Sequence, residues 1–206
     1  MESCSSAHHW ARERTALGQD VKLIPSMCVK PDAERGTSDA IDAEAICDAV
    51  TRPTLRLVGI KTVGQQALLS VHRARALLVR QGTQLINGLR GLVAQFGSFI
   101  PRGLARVIGF AEDIALGDVL DFPDIANKVI RNLSGQLMAL HQRIRWYERR
   151  LKQVAKEAAH VRLLRTLSGV GAVTASAINA SIGDGPQFQK RQGLCCLAGP
   201  DAGEQV

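Results

Sequence analysis

The sequence predicts a mostly α-helical protein with a partial α/β segment at its start. Three observations carry this. Aromatic residues are only 4% of 206 while hydrophobic residues are 46%, so the core must be Leu, Val, Ile and Ala, which favours helices. Two long segments, 63–96 and 124–158, set apolar side chains at helical spacing. The first sixty residues alternate helical and extended patterns, as an α/β domain does.

Taken in order, residues 3–17 read as a helix that Ser5 or Ser6 can cap, with Ala7, Trp10, Ala11 and Leu17 as its apolar stripe. "DVKLIP", 20–25, is a short strand that stops at Pro25. Residues 26–37 form a loop carrying Lys30, Arg35 and Gly36. A helix follows from about Ser38 to Val50 and ends before Pro53. "LRLVGI", 55–60, is a second strand or extended segment, and these strands are too few to make a sheet alone.

The helix at 63–96 carries Leu68, Val71, Leu78, Leu85, Leu89 and Leu92 on its apolar face. Gly82, Gly88 and Gly91 weaken it by roughly 1 kcal/mol each against Ala. Residues 97–124 are turn-rich with a short helix. In the helix at 124–158, Ile125, Val129, Leu133, Leu137, Leu140, Ile144 and Leu151 recur near a 3.5-residue period. The pair suggests an antiparallel coiled-coil hairpin. Beyond it, Gly169-Val170-Gly171 separates two short helices, and "GLCCLAGPDAGEQV" has no legible period. The expected domains are 1–62, 63–158 and 159–206.

The formal charge of +7 points to a polyanionic partner. No apolar run approaches the ~20 residues that span a bilayer, and "MESCSSAHHWARER" has no signal-peptide core. The five cysteines include no C-x-x-C pair, which predicts reduced thiols and a cytoplasmic protein.

Several residues can carry chemistry. In "RGTSDAIDAEAICDAV", Asp39 and Asp42 are three apart and share a helix face. Two such carboxylates can hold a hard cation such as Mg²⁺; equally, Asp39 fits a helix-start anion and Asp42 a surface residue. Arg73, Arg80 and Arg90 on the first long helix, and Arg143, Arg145, Arg149, Arg150 and Lys152 on the second, are denser than a solvated exterior needs. Glu148 and Glu157 are the acids interleaved in the second run. Gly169 and Gly171 in "LSGVGAVTAS" suit a phosphate-binding corner like a helix-hairpin-helix turn, or a plain tight turn. His8, His9 and Trp10 read as structural, and Ser3, Ser5 and Ser6 lack a base to activate them.

These pieces fall in a recognisable order. The stretch from residue 1 to about 194, through its "SDAIDAEAI", "R-x-Q-L-I-N-x-L-R" and "GVG-x-x-T-A-S" blocks, resembles the DEDD transposases of the insertion-sequence 110 group, relatives of the Piv-type DNA invertases. The resemblance implies a RuvC-like N-terminal domain with four acidic Mg²⁺ ligands, a coiled-coil insertion and a C-terminal domain with a nucleophilic serine. It also implies recombination of DNA guided by a structured RNA, and a homo-oligomer with no membrane partner. Glu2 matches the second acid, and Asp39 and Asp42 the third and fourth, so these three are the expected catalytic and metal residues. The family's first Asp falls upstream of Glu2, where this sequence has no residue, and no serine follows Ser181. On this reading the chain is truncated at both ends and catalytically incomplete, and it keeps nucleic-acid binding. The alternative is a non-catalytic helical nucleic-acid-binding or regulatory protein.

Overall fold

The computed structural model describes residues 1–26, 39–52, 55, 57–118 and 120–182, with the side chains of Asp39, Ile41 and Asp42 excepted. The expected loop with Lys30, Arg35 and Gly36 and everything after Ile182 lie outside the described residues. The described chain is mostly helical and contains no strand. It divides into two compact units: Met1–Gln66 with the segment that begins at Ala180, and Ala67–Asn179.

In the first unit, α1 spans Ala7–Ala16 and α2 spans Asp39–Thr51. The first helix is shorter than the expected 3–17. Ser6 occupies its N-cap, but the hydroxyl caps nothing and instead lies 3.6 Å from Cys4 Sγ. The face it buries is Ala7, His8 and Ala11, while Trp10 and Leu17 are exposed. Small residues win this face because Leu23, Val21, Val58 and Ile60 pack directly on it. His8 is structural, as expected: its Nδ1 accepts the Lys61 backbone N–H at 3.2 Å.

The two expected strands are reduced to isolated bridges. Leu23 pairs antiparallel with Val58, and Ile24 pairs parallel with Glu2. The segment before Pro25 therefore has a neighbour on each side but only one paired residue with each. A proline, which has no N–H to donate, follows at once. Ile24 packs on Ala45 and Ala49 of α2, so this small core joins the Glu2 bridge to that helix.

The first long helix, α3, spans Val63–Gln95. It starts at a reciprocal cap: Gln65 N–H donates to Thr62 Oγ1 at 3.2 Å, and Thr62 N–H to Gln65 Oε1 at 2.8 Å. The second unit adds α4 (Leu104–Leu116), α5 (Asp124–Glu157), α6 (Ala159–Leu164) and α7 (Ala172–Ile182). At about 1.5 Å per residue, α3 and α5 are each roughly 50 Å long.

Within this unit α3 and α5 run antiparallel. A Cβ at Gly82 would lie 3.5 Å from Leu140 and 3.8 Å from Ile144. Towards one end, Arg75 meets Glu148. Towards the other, Leu89 and Val93 share a core with Ile130 and Leu137 of α5 and Val107, Ala111 and Ile114 of α4. The chain leaves α4 through Gly117, at φ +115, where Asp118 N–H reaches Asp113 O and Gly117 N–H reaches Ile114 O. That pair of bonds satisfies end carbonyls and needs a left-handed residue, which glycine supplies without strain. Asn127 Nδ2 then donates to the carbonyls of Leu120 and Phe122 and fixes the entry to α5.

The expected apolar line on α5 holds at Leu137, Leu140 and Leu151 but not at its start, where Ile125 and Val129 are exposed and Ile130 and Ser134 are buried instead. The cause is α4, which packs on that end of α5 and turns its buried face. At the far end, Ala155, Val161 and Ala175 join α5, α6 and α7. There Ser176, wholly buried on α7, lies 3.1 Å from Nε2 of His72 on α3 and donates to Val173 O. Burial and then the nearby Arg75 hold the His72 pKa below its ordinary value.

Two outcomes follow from this packing. Leu137→Ala, at a side chain 2% exposed, should cost about 2–5 kcal/mol in denaturant unfolding. Ile125→Ala, at one 71% exposed, should stay within about 0.5 kcal/mol, although both belong to the same apolar period. His72 adds a pH dependence. Its depressed pKa means the unfolded chain takes up the proton first as pH falls. Stability from this group is therefore complete above its ordinary value and is lost as pH drops through the folded one. Thermal melts from neutral to mildly acidic pH should show a smaller loss in His72→Gln than in the parent chain.

Candidate nucleic-acid interface

The candidate interface grows out of the seam between α3 and α5. Arg75 Nη2 lies 2.6 Å and Nε 3.2 Å from the same Glu148 oxygen, with both side chains about one-third exposed. Glu148 sits among Arg143, Arg145, Arg149 and Arg150 in the sequence, where it would offset their charge. Folding turns it towards α3 instead. The outer side of α5 is left with exposed cations: Arg143, Arg145, Arg149, Arg150, Lys152 and Lys156.

Their order on the helix follows from about 100° of rotation per residue. Arg145, Arg149, Lys152 and Lys156 stand at i, i+4, i+7 and i+11, one stripe about 17 Å long. Arg143 and Arg150 form a second pair, both about 140° around the helix from it. Arg149 Nε reaches the Arg145 carbonyl at 3.4 Å, and Arg150 Nη1 reaches Gln153 Oε1 at 3.1 Å. Both partners are neutral, so the positive charge of the stripe is retained. Glu157 remains exposed at its end and accepts from Gln153 at 3.1 Å.

The remaining sequence-predicted residues separate from this stripe. Arg73 and Arg80 are exposed on the side of α3 about 180° from the Gly82–Leu89 seam, so they form a second, distinct basic strip. Arg90 is half-buried: its Nη2 donates to Pro101 O at 3.0 Å, and its Nε is buried without a partner. That geometry gives Arg90 a part in holding the turn after α3. Gly169 and Gly171 lie in the exposed turn between α6 and α7. Gly169 takes φ +83, the left-handed region that favours glycine. A Cβ at either glycine would meet nothing within 4 Å, so both glycines face open space, while Val170 between them packs on the core of Ala155, Val161 and Ala175. The N–H groups of the first turn of α7 have no helical acceptors of their own, as at any helix start.

For a metal the placement is partial. Asp39 and Asp42 lie in the first turns of α2, with their side chains outside the described residues, and Glu2 lies at the Ile24 bridge. Among the described residues, no three His, Cys, Asp or Glu side chains form a group that could hold an ion. Sequence reasoning missed the Arg75–Glu148 pair, the His72–Ser176 contact and Trp146. The first two join residues far apart in sequence and leave no local signal. Trp146 did carry one, an aromatic residue inside a cationic run.

No helix among the described residues is long and apolar enough to cross a membrane. Cys4 and Cys47 are free thiols.

Residues 161–205 match the model of the IS116/IS110/IS902 transposase family. The chain is 40% identical over 190 residues to a protein of Pseudomonas aeruginosa described as a probable family 20 transposase, an overlap of 92% of this chain and 56% of that one. It is 34% identical over 188 residues to the transposase for insertion sequence element IS1328 of Yersinia enterocolitica, covering 91% of this chain and 55% of the relative. Against the transposase for IS1111A of Coxiella burnetii it is 33% identical over 199 residues, covering 97% and 55%. No solved structure matches. The chain thus spans about half the length of the curated relatives it matches. The likeness runs from the small N-terminal core through both long helices to the glycine turn, and the chain belongs to the IS110 family of insertion-sequence transposases.

Proposed function

We propose that this chain is the part of a DEDD-type, RNA-guided transposase that grips nucleic acid, and that α5 is its principal grip. The observation that carries this is the stripe of Arg145, Arg149, Lys152 and Lys156, kept cationic because Arg75 draws Glu148 away. Regularly placed cations on a rigid helix suit a phosphate backbone, since each contact releases condensed counterions. The Gly169–Gly171 turn supplies a second contact of a different kind, through backbone N–H groups. The partners on this reading are DNA and a structured guide RNA, with a homo-oligomer as the working assembly.

Glu2, Asp39 and Asp42 are the acids this reading assigns to Mg²⁺. Carboxylate oxygens are the donors that a small hard cation prefers. Ile24, which bridges to Glu2, packs on Ala45 and Ala49 of the helix whose first turns carry Asp39 and Asp42, and this linkage supports the reading. When bound, Mg²⁺ would supply phosphate polarisation and activation of an attacking oxygen. A non-catalytic nucleic-acid-binding protein would use the same α5 face, and strand-transfer assays with a supplied guide RNA separate the two. Strand exchange lost in Asp39→Ala supports the transposase reading and overturns the expectation of a catalytically incomplete chain.

Electrophoretic shifts with structured RNA and duplex DNA test the grip. If about four phosphates are engaged, affinity for duplex should fall roughly 100-fold between 50 and 200 mM salt. The double variant Arg149→Glu, Arg150→Glu should weaken binding and flatten that slope by about two units of log K against log salt. Absence of any shift at low salt would sink the proposal.

A further inference from the structure

We infer that Trp146 is a stacking platform for an unpaired nucleobase, so that the basic face of α5 reads single-stranded nucleic acid. The inference rests on the nucleic-acid reading above and specifies its ligand. It starts from an aromatic residue in a place that packing does not explain. The chain has only two tryptophans and one tyrosine. One of those tryptophans, Trp146, sits in the most cationic stretch of the protein and remains 55% exposed. It stands two residues beyond Ile144, about 200° around the helix from that contact with α3, so it faces away from the seam.

Its neighbours on the helix surface are Gln142, Arg143, Arg149 and Arg150, at i−4, i−3, i+3 and i+4, all of them exposed. None of these arginines forms an ion pair among the described residues. The nearest acid in sequence, Glu148, is held by Arg75. The indole also meets the Tyr147 ring edge-on, with centroids 4.9 Å apart and planes at 89°. That contact limits its rotation and lowers the ordering cost of a second aromatic partner.

An exposed indole ringed by unpaired guanidinium groups offers two things at once. A base can stack on the ring, and the phosphates on either side of that base can reach the arginines. Every base has a π-face, so such a site tolerates any sequence. Duplex cannot use it, because its bases are already stacked and paired. A protein partner would need a concentrated acidic surface to meet the same face, whereas a nucleic-acid strand carries that charge at every residue.

The test uses the full chain with Trp10→Phe, which leaves Trp146 as the only tryptophan. Oligo(dT), oligo(U) and a duplex DNA are titrated at low salt, following both emission and affinity. The two single strands should quench emission in step with binding, and their relative affinities show whether DNA or RNA is the source of the unpaired base. Trp146→Ala should weaken both by about 5- to 100-fold while leaving duplex binding within about twofold, and Trp146→Phe should restore most of the loss. A merely structural role would weaken single strands and duplex alike, and that result overturns the inference. Unchanged single-strand affinity in Trp146→Ala also overturns it, and assigns the face to another kind of partner. Failure to bind any of the three ligands overturns this inference together with the reading it rests on. Duplex binding that is intact but indifferent to Trp146, with no single-strand effect, overturns the stacking site alone.

Discussion

The antiparallel seam between α3 and α5 is the constraint on which the second unit depends. A single exposed helix of this length would gain little from propensity alone. The seam solves this with different devices along its length. Leu89, Val93, Ile130 and Leu137 form a dry core where α4 closes over it. In the middle Gly82 lets Leu140 and Ile144 come close. Beyond that, Arg75 and Glu148 face each other at 2.6 Å. A half-buried ion pair of this kind adds little net stability, but it opposes sliding, because a shift of one turn would leave both charges poorly solvated.

The same pair has an electrostatic consequence for the neighbouring outer face of α5. Glu148 is one of two acids in the run from Arg143 to Glu157. Its capture by α3 separates an inward-facing carboxylate from an outward-facing stripe of cations. Composition alone would describe this run as partly neutralised. The fold sorts the charges by face, so the surface offered to a ligand is more positive than the sequence average.

The helices of the second unit were legible because each carries a sustained period, and α3 and α5 end within a residue or two of where that period ends. Which apolar residues point inward was less legible. Ile125 and Val129 satisfy the period as well as Leu137 does, but α4 approaches from one side and selects Ile130 and Ser134 instead. A repeat in sequence cannot encode the direction from which a third helix arrives. The strands at 20–25 and 55–60 failed for a related reason. Their β-rich composition is real, but a ladder needs consecutive partners, and among the described residues Leu23 with Val58 and Ile24 with Glu2 make only isolated bridges.

For the candidate interface, the sequence exposed the residue types and concealed their grouping. Arg73 and Arg80, Arg90, and the α5 set read as one basic population along two helices. Folded, they become a strip on the far side of α3, a fastening to the Pro101 turn, and an outward stripe on α5. Only the last combines several unpaired cations with an aromatic ring. The acids at Asp39 and Asp42 show the opposite case: their helical position was legible from local spacing, while a role for them rests on the family resemblance. Spacing within one helix can be read from sequence, because 3.6 residues per turn fixes it. Grouping between helices cannot, because it depends on contacts such as Arg75 with Glu148, made across 73 residues of chain.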